Sequence, residues 1–191
     1  MYKFESKQVD GQSLVHPINL LLGENLIGAE IGVLKAHTSC TLLQNCPNIK
    51  TLYLIDNYKP YSDFIRNPYN PNEPYHIVDQ KEIELIKFIA HHNVKWSGHT
   101  DKALFIEEDS KIVAQHCQNA SLDFVFLDTY MTQEQVISDL NDWYPKVKEK
   151  GLFSGHDWTG EVVQQAVLKF RSDNNIVSQL SIFDDTWMWI K

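Results

Sequence analysis

Five short runs, Leu26–Ile31 (LIGAEI), Thr51–Ile55 (TLYLI), Ala103–Ile106 (ALFI), Leu122–Leu127 (LDFVFL) and Leu152–Ser154 (LFS), are apolar almost without interruption. A strand with one face in water alternates apolar with polar residues, so runs of this kind read as strands buried on both faces. Helical patterns separate them. From Asp79 a buried stripe of Ile83, Ile86, Phe88-Ile89 and Val94 runs to a stop at Ser97-Gly98, and Ser110 opens a short helix. Gln133 to Lys150 is amphipathic through Val136, Leu140, Trp143 and Val147, with Gly151 as its stop, and a last helix carries Val162, Val163, Ala166, Val167 and Phe170. Thr38 or Ser39 suits the start of the helix that follows the first strand. Ile176–Phe183 and Thr186–Ile190, separated by Asp184-Asp185, predict a closing antiparallel hairpin. The pattern is an α/β fold: three layers, a mostly parallel sheet between helices, reversed at its C-terminal end. At 191 residues with no internal repeat or linker, it predicts one domain over residues 1–191.

Charge and apolar content narrow the function classes. A net charge of −8 argues against nucleic acid as a partner. No apolar run reaches the roughly 18 residues that span a bilayer, and MYKFESKQVDG lacks the apolar stretch of a signal peptide. The expectation is a cytoplasmic protein without membrane contact. Cys40, Cys46 and Cys117, odd in number and without a Cys-x-x-Cys spacing, read as reduced, core-filling thiols.

In open parallel sheets ligands sit beyond the carboxyl ends of the strands, near the point where strand order reverses. That rim collects Glu30-Ile31-Gly32, Asp56, Asp109-Ser110, Asp128 and His156-Asp157. A glycine just after a strand admits a ligand close to the backbone, and the helix behind it offers free N–H groups. The glycines of a dinucleotide fingerprint are missing after Gly32, where Ala36 and His37 stand. Glu30 suits a cationic ligand or a helix amide, and Asp56 suits ribose hydroxyls or a capping role.

GAEIGVLKAHTS, residues 28 to 39, resembles the first motif of class I S-adenosylmethionine-dependent methyltransferases, in the branch that reads Glu-Ile-Gly-Val followed by a turn and Thr or Ser. The resemblance implies a Rossmann-like fold of seven strands and a cofactor site of Glu30, Gly32, Val33, Thr38, Ser39, Asp56, Asn57, Asp109, Ser110 and Asp128. Within it Glu30 and Gly32 flank the methionine part, Asp56 takes the ribose hydroxyls, and Asp109-Ser110 lies near the adenine. Ala36 departs from the family's second glycine, and an alanine there would narrow the pocket or lower affinity.

LDFVFLDTYMTQEQVISDLNDWYPKVKEKGLFSGHDW resembles a second block of that family. In related O-methyltransferases the positions of Asp128, His156 and Asp157 bind a divalent cation such as magnesium or manganese; carried over, these three residues are catalytic and metal-ligating. Oxygen ligands plus an imidazole suit such ions. The plainer readings stand beside this one: His156 donating to a backbone carbonyl, and Asp157 capping the helix that begins near Thr159. Many relatives carry a histidine general base where this chain has Met131, which takes no proton. NYKPYSDFIRNPYNPNEPYH reads as a long loop or lid, whose Tyr58, Tyr61, Tyr69 and Tyr75 suit a substrate cover, the packing of a surface loop or a homodimer contact. The resulting expectation is transfer of a methyl group from S-adenosylmethionine to a hydroxyl of a small molecule, a sugar or secondary metabolite. Its rivals are a nicotinamide-dependent oxidoreductase and a cofactor-binding protein without catalysis.

Overall fold

The computed structural model describes residues 10–60, 79–129 and 132–191. Met131, Tyr61, Tyr69 and Tyr75, singled out above, lie outside these residues. Seven strands form one sheet in the order β3-β2-β1-β4-β5-β7-β6, where β1 is Leu26–Ile31, β2 Ile49–Ile55, β3 Ala103–Ile106, β4 Leu122–Leu127, β5 Val147–Gly155, β6 Ser181–Phe183 and β7 Thr186–Ile190. The first five are mutually parallel, and β7 runs antiparallel to both β5 and β6.

The helices divide by face, which explains why the strands are apolar on both sides. α1 (Gln12–Leu21), α2 (His37–Asn45) and α3 (Gln80–Ser97) bury Leu14, Ile18, Leu42, Ile83 and Ala90 against Leu52, Leu54, Phe124 and Phe126. α4 (Ser110–His116), α5 (Gln133–Trp143) and α6 (Glu161–Asp173) bury Ala114, Leu140, Trp143 and Phe170 against Ile31, Val125, Phe153 and Trp189. Strand order reverses between β1 and β4, so the loops after these two strands diverge and leave a crevice at their carboxyl ends. No helix among the described residues is long and apolar enough to cross a membrane.

Several boundaries differ from the sequence reading. α5 stops at Trp143, because Pro145 cannot continue a helix, and one 3₁₀ turn, Tyr144–Lys146, leads directly into β5. Gly151 therefore lies inside β5 instead of ending a helix. The register of β4 against β5 slips between Leu122 and Phe124, and the Lys150 amide donates to the Lys191 carbonyl, so pairing with neighbours claims the charged segment that helical periodicity had suggested. β6 is confined to Ser181–Phe183; Ile176 and Leu180 instead pack against the core on the α4–α6 side. α1, which contains Pro17 and was unanticipated, docks its Ser13 hydroxyl on Thr186 at 2.8 Å.

Candidate functional site

The turn after β1 is built by close approach. Gly32 has φ +84°, and a Cβ there would stand 2.2 Å from the Asp128 carbonyl oxygen, so only glycine lets this turn rest on the end of β4. The Gly32 amide donates to Ile55 O at 2.9 Å, and the Asp128 amide to Ile31 O at 2.8 Å, extending the ladder to the rim. Asp56, at the end of β2, holds the same turn from the other side. Its Oδ2 accepts from the Val33 and Leu34 amides at 2.9 and 3.0 Å, and its Oδ1 accepts from the Tyr58 amide at 2.9 Å. A carboxylate offers about four acceptor positions, so one remains for a ligand hydroxyl.

Glu30 is 2% exposed and accepts from the Ser39 hydroxyl. Burial raises its pKa well above the usual carboxylate range, and the nearby Asp128 and Asp56 charges raise it further. Ser39 therefore serves Glu30 instead of capping α2. That helix opens at His37 behind Ala36, whose φ of 60° is left-handed, with no side-chain cap. Ala36 occupies the glycine position of the resemblance in a conformation that glycine favours, but its methyl is fully buried in the core and does not narrow the cleft.

Across the rim, Asp128, His156 and Asp157 bring one ligand atom each to within 4.8 Å of one another. His156 Nδ1 lies 3.1 Å from Asp157 Oδ1 and 3.6 Å from Asp128 Oδ1. The bond to Asp157, with the Asp128 charge, pushes the imidazole up to about 9 against partial burial, and burial pushes the Asp128 carboxyl up to about 7. Neither of the plainer readings fits. His156 Nδ1 faces carboxylates, and Asp157 offers only its backbone oxygen, to the Gly160 amide, while Gly160 is the cap of α6. Asp157 also holds a left-handed backbone, φ 58°, a strained conformation for a non-glycine residue.

A cleft of about 510 Å³ connects the two halves. Glu30, Gly32, Val33, Thr38, Asp56, Asn57, Asp109, Ser110, Asp128 and Asp157 all line it, whereas Ser39 sits behind Glu30 and His156 behind the two aspartates. Asn57 also accepts from the Lys59 amide through its side-chain oxygen, and Asp109 caps α4 by accepting from the Lys111 amide. Sequence reasoning missed Asp139. It is 1% exposed, and its carboxylate accepts from Ser110 Oγ, Thr129 Oγ1 and Gln135 Nε2 at 3.1, 2.8 and 3.3 Å. The signal was present: Asp139 falls inside the Val136, Leu140, Trp143 stripe, and a carboxylate on an apolar helix face needs donors.

The lining is acidic. Asp10, Glu30, Asp56, Glu108, Asp109, Asp128, Asp139 and Asp157 outnumber Lys35 and Lys59. A cationic ligand is favoured by that field, whereas the diphosphate of a nicotinamide dinucleotide would enter a potential of its own sign. The volume lies within the usual range of roughly 300–1,000 Å³ for small-molecule and cofactor sites.

A family model described as a methyltransferase domain matches residues 29–158, about two-thirds of the chain, from Ala29 beside Glu30 to Trp158 beside Asp157. The chain belongs to this methyltransferase family. No curated protein matches it. Among solved structures, this methyltransferase-family chain is similar to a protein from Corynebacterium glutamicum at TM-score 0.66 and 14% identity, covering 95% of this chain and 79% of that one. It is similar to the O-methyltransferase NovP at 0.64 and 16%, covering 93% and 79%. It is also similar to a proposed rRNA methylase from Clostridium thermocellum at 0.65 and 10%, covering 95% of each. At such identities the likeness carries the fold, including the reversed last strands. The family implies S-adenosylmethionine as the methyl donor, and the acidic cleft fits a sulfonium cation bearing an ammonium group.

Proposed function

We propose that this chain transfers a methyl group from S-adenosylmethionine to a hydroxyl of a small molecule, a sugar or secondary metabolite, with a divalent cation held by Asp128, His156 and Asp157. The observation that carries the reading is the convergence of those three donor groups, of which Asp128 and Asp157 line the cleft that the Glu30–Gly32 turn also lines. The donor set, two carboxylates and an imidazole, fits a magnesium- or manganese-like ion. The net charge of −8 favours a small acceptor over RNA.

S-adenosylmethionine, when bound, supplies an electrophilic methyl on a positive sulfur, and the cation supplies Lewis acidity toward the acceptor hydroxyl. The residues do the rest. Glu30, whose pKa burial raises, is drawn toward its charged form by an ammonium or sulfonium nearby, because the cation offsets that burial. Asp56 fixes the Gly32–Leu34 turn and keeps an acceptor position for ribose. Asp109 and Ser110 stand at the mouth of α4, where the adenine would lie, with Ser110 held by Asp139. The methyl displacement is in-line, so alignment and exclusion of water are its main demands.

A second reading needs no metal. His156 Nδ1 is already bonded to Asp157, and Asp128, near 7, suits a group that takes the hydroxyl proton at neutral pH. Calorimetric titration separates the readings. S-adenosylhomocysteine should bind and NAD should not, and Mn²⁺ should bind to the wild type but not to Asp128→Asn. No heat with S-adenosylhomocysteine at millimolar concentration would overturn the cofactor assignment. Methyl transfer undiminished by EDTA would overturn the cation and leave Asp128 as the base.

A further inference from the structure

α3 has two apolar faces. One, carrying Ile83, Ile86, Ala90 and Val94, is buried against the sheet. The other is in solvent: Leu85, Phe88 and Trp96 are 57, 65 and 78% exposed. His92 stands between the aromatics, stacked on Phe88 with centroids 5.8 Å apart and tilted against Trp96 at 5.6 Å. At 100° per residue Leu85, Phe88, His92 and Trp96 fall within an arc of about 80° and run about 16 Å along the helix. Single exposed apolar residues are ordinary, but a continuous line of large ones marks an interaction surface.

The line is nearly symmetric about its midpoint near residue 90. Phe88 and His92 lie two residues on either side of it, and Leu85 and Trp96 five and six. Glu84 and Lys95 lie six and five residues from it, are both exposed, and share one flank of the stripe, within about 20° of each other around the helix. A two-fold axis through that midpoint reverses the helix and superposes flank on flank. Leu85 then meets Trp96 of the second copy, Phe88 meets His92, and Glu84 meets Lys95 twice. Glu84 Oε1 accepts from Gln80, which leaves Oε2 for a partner, and among the described residues no ion pair takes up Lys95.

We propose that the outer face of α3 is an isologous interface between two copies of this chain, the helices packing antiparallel over the Leu85–Phe88–His92–Trp96 stripe with Glu84 paired to Lys95 on both sides. One helix pair is at the small end of stable interfaces, so the dimer is reversible and its dissociation constant is measurable. Sedimentation equilibrium of the full chain over a range of micromolar concentrations tests it. The wild type should self-associate to a dimer, and Phe88→Glu and Trp96→Glu should each leave a monomer. Glu84→Lys or Lys95→Glu alone, which sets like charges opposite twice, should raise the dissociation constant at least about tenfold, and the double reversal should restore it to within about threefold. Both charge changes are at exposed positions, and far-UV circular dichroism verifies the helix in each. A wild type monomeric throughout, a dimer indifferent to these substitutions, or a double reversal no better than the singles would each overturn the interface.

Discussion

Gly32→Ala tests how the site is assembled, because Gly98 provides its control. Both glycines hold left-handed backbones, φ +84° and +80°, but an added Cβ meets the Asp128 carbonyl oxygen at 2.2 Å and its carbon at 2.7 Å in the first, and nothing within 4 Å in the second. An alanine in that conformation costs about 1–2 kcal/mol at either position. At Gly32 the obstacle is main chain at the end of a central strand, which cannot rotate aside, so overpacking adds about 1–3 kcal/mol. For a chain of this size 1 kcal/mol moves Tm by about 2–4 °C. Gly98→Ala should therefore lower Tm by about 2–8 °C and Gly32→Ala by about 4–20 °C, with a gap of at least about 2 °C between them. Differential scanning calorimetry in one buffer reads both. S-adenosylhomocysteine affinity should fall only for Gly32→Ala, since Gly98 ends α3 away from the cleft lining. Equal Tm losses for the two variants would refute the close packing of the β1 turn on β4.

Ala36→Gly should leave Tm within about 3 °C of wild type, because relief of roughly 1 kcal/mol of left-handed strain offsets the roughly 0.8 kcal/mol of a buried methyl; a larger fall means that Ala36 is not strained. Glu30→Gln should fold at least as stably at pH 8, since the raised pKa makes the charged form costly, yet bind S-adenosylmethionine about tenfold or more weakly by calorimetry; unchanged affinity would remove Glu30 from the cofactor's contacts. Asp139→Ala should cost about 2–4 kcal/mol in urea unfolding, because the donors of Ser110 and Gln135 lose their acceptor; a loss under 1 kcal/mol would show the network to be replaceable by water.

The rim's pH dependence has a definite sign. The folded pKa of His156, about 9, lies above its ordinary 6.5, so its stabilisation is complete below about pH 6.5 and is lost as pH rises through 9. Asp128, raised from 3.8 to about 7, likewise withdraws stability between those values. In metal-free buffer Tm should fall from pH 6.5 to 9, more weakly in Asp128→Asn, and Mn²⁺ binding should release protons, measurable by calorimetry in two buffers of different ionisation enthalpy. A flat profile would mean that the three side chains do not share a proton.

The sequence by itself determined the sheet and its rim. Nearly uninterrupted apolar runs such as LDFVFL read as strands covered on both faces, and in a parallel sheet that orders the carboxyl ends, so Glu30, Asp56 and Asp128 could be assigned to one edge from period and punctuation alone. The closing hairpin was legible for the same local reason. Contacts distant in sequence were not. Helical periodicity continues through Lys150, yet Pro145 and the pairing of Lys150 with Lys191 make that segment strand. Asp56 read as a ribose acceptor or a cap, and only the tertiary structure decides that the amides it holds are those of Val33 and Leu34, 23 and 22 residues away. Asp139, Ser110 and Thr129 come from three separate segments, and whether a buried carboxylate finds its donors depends on how those segments pack. Periodicity reports which face of an element is apolar; only the packed chain decides which polar groups are left to satisfy one another.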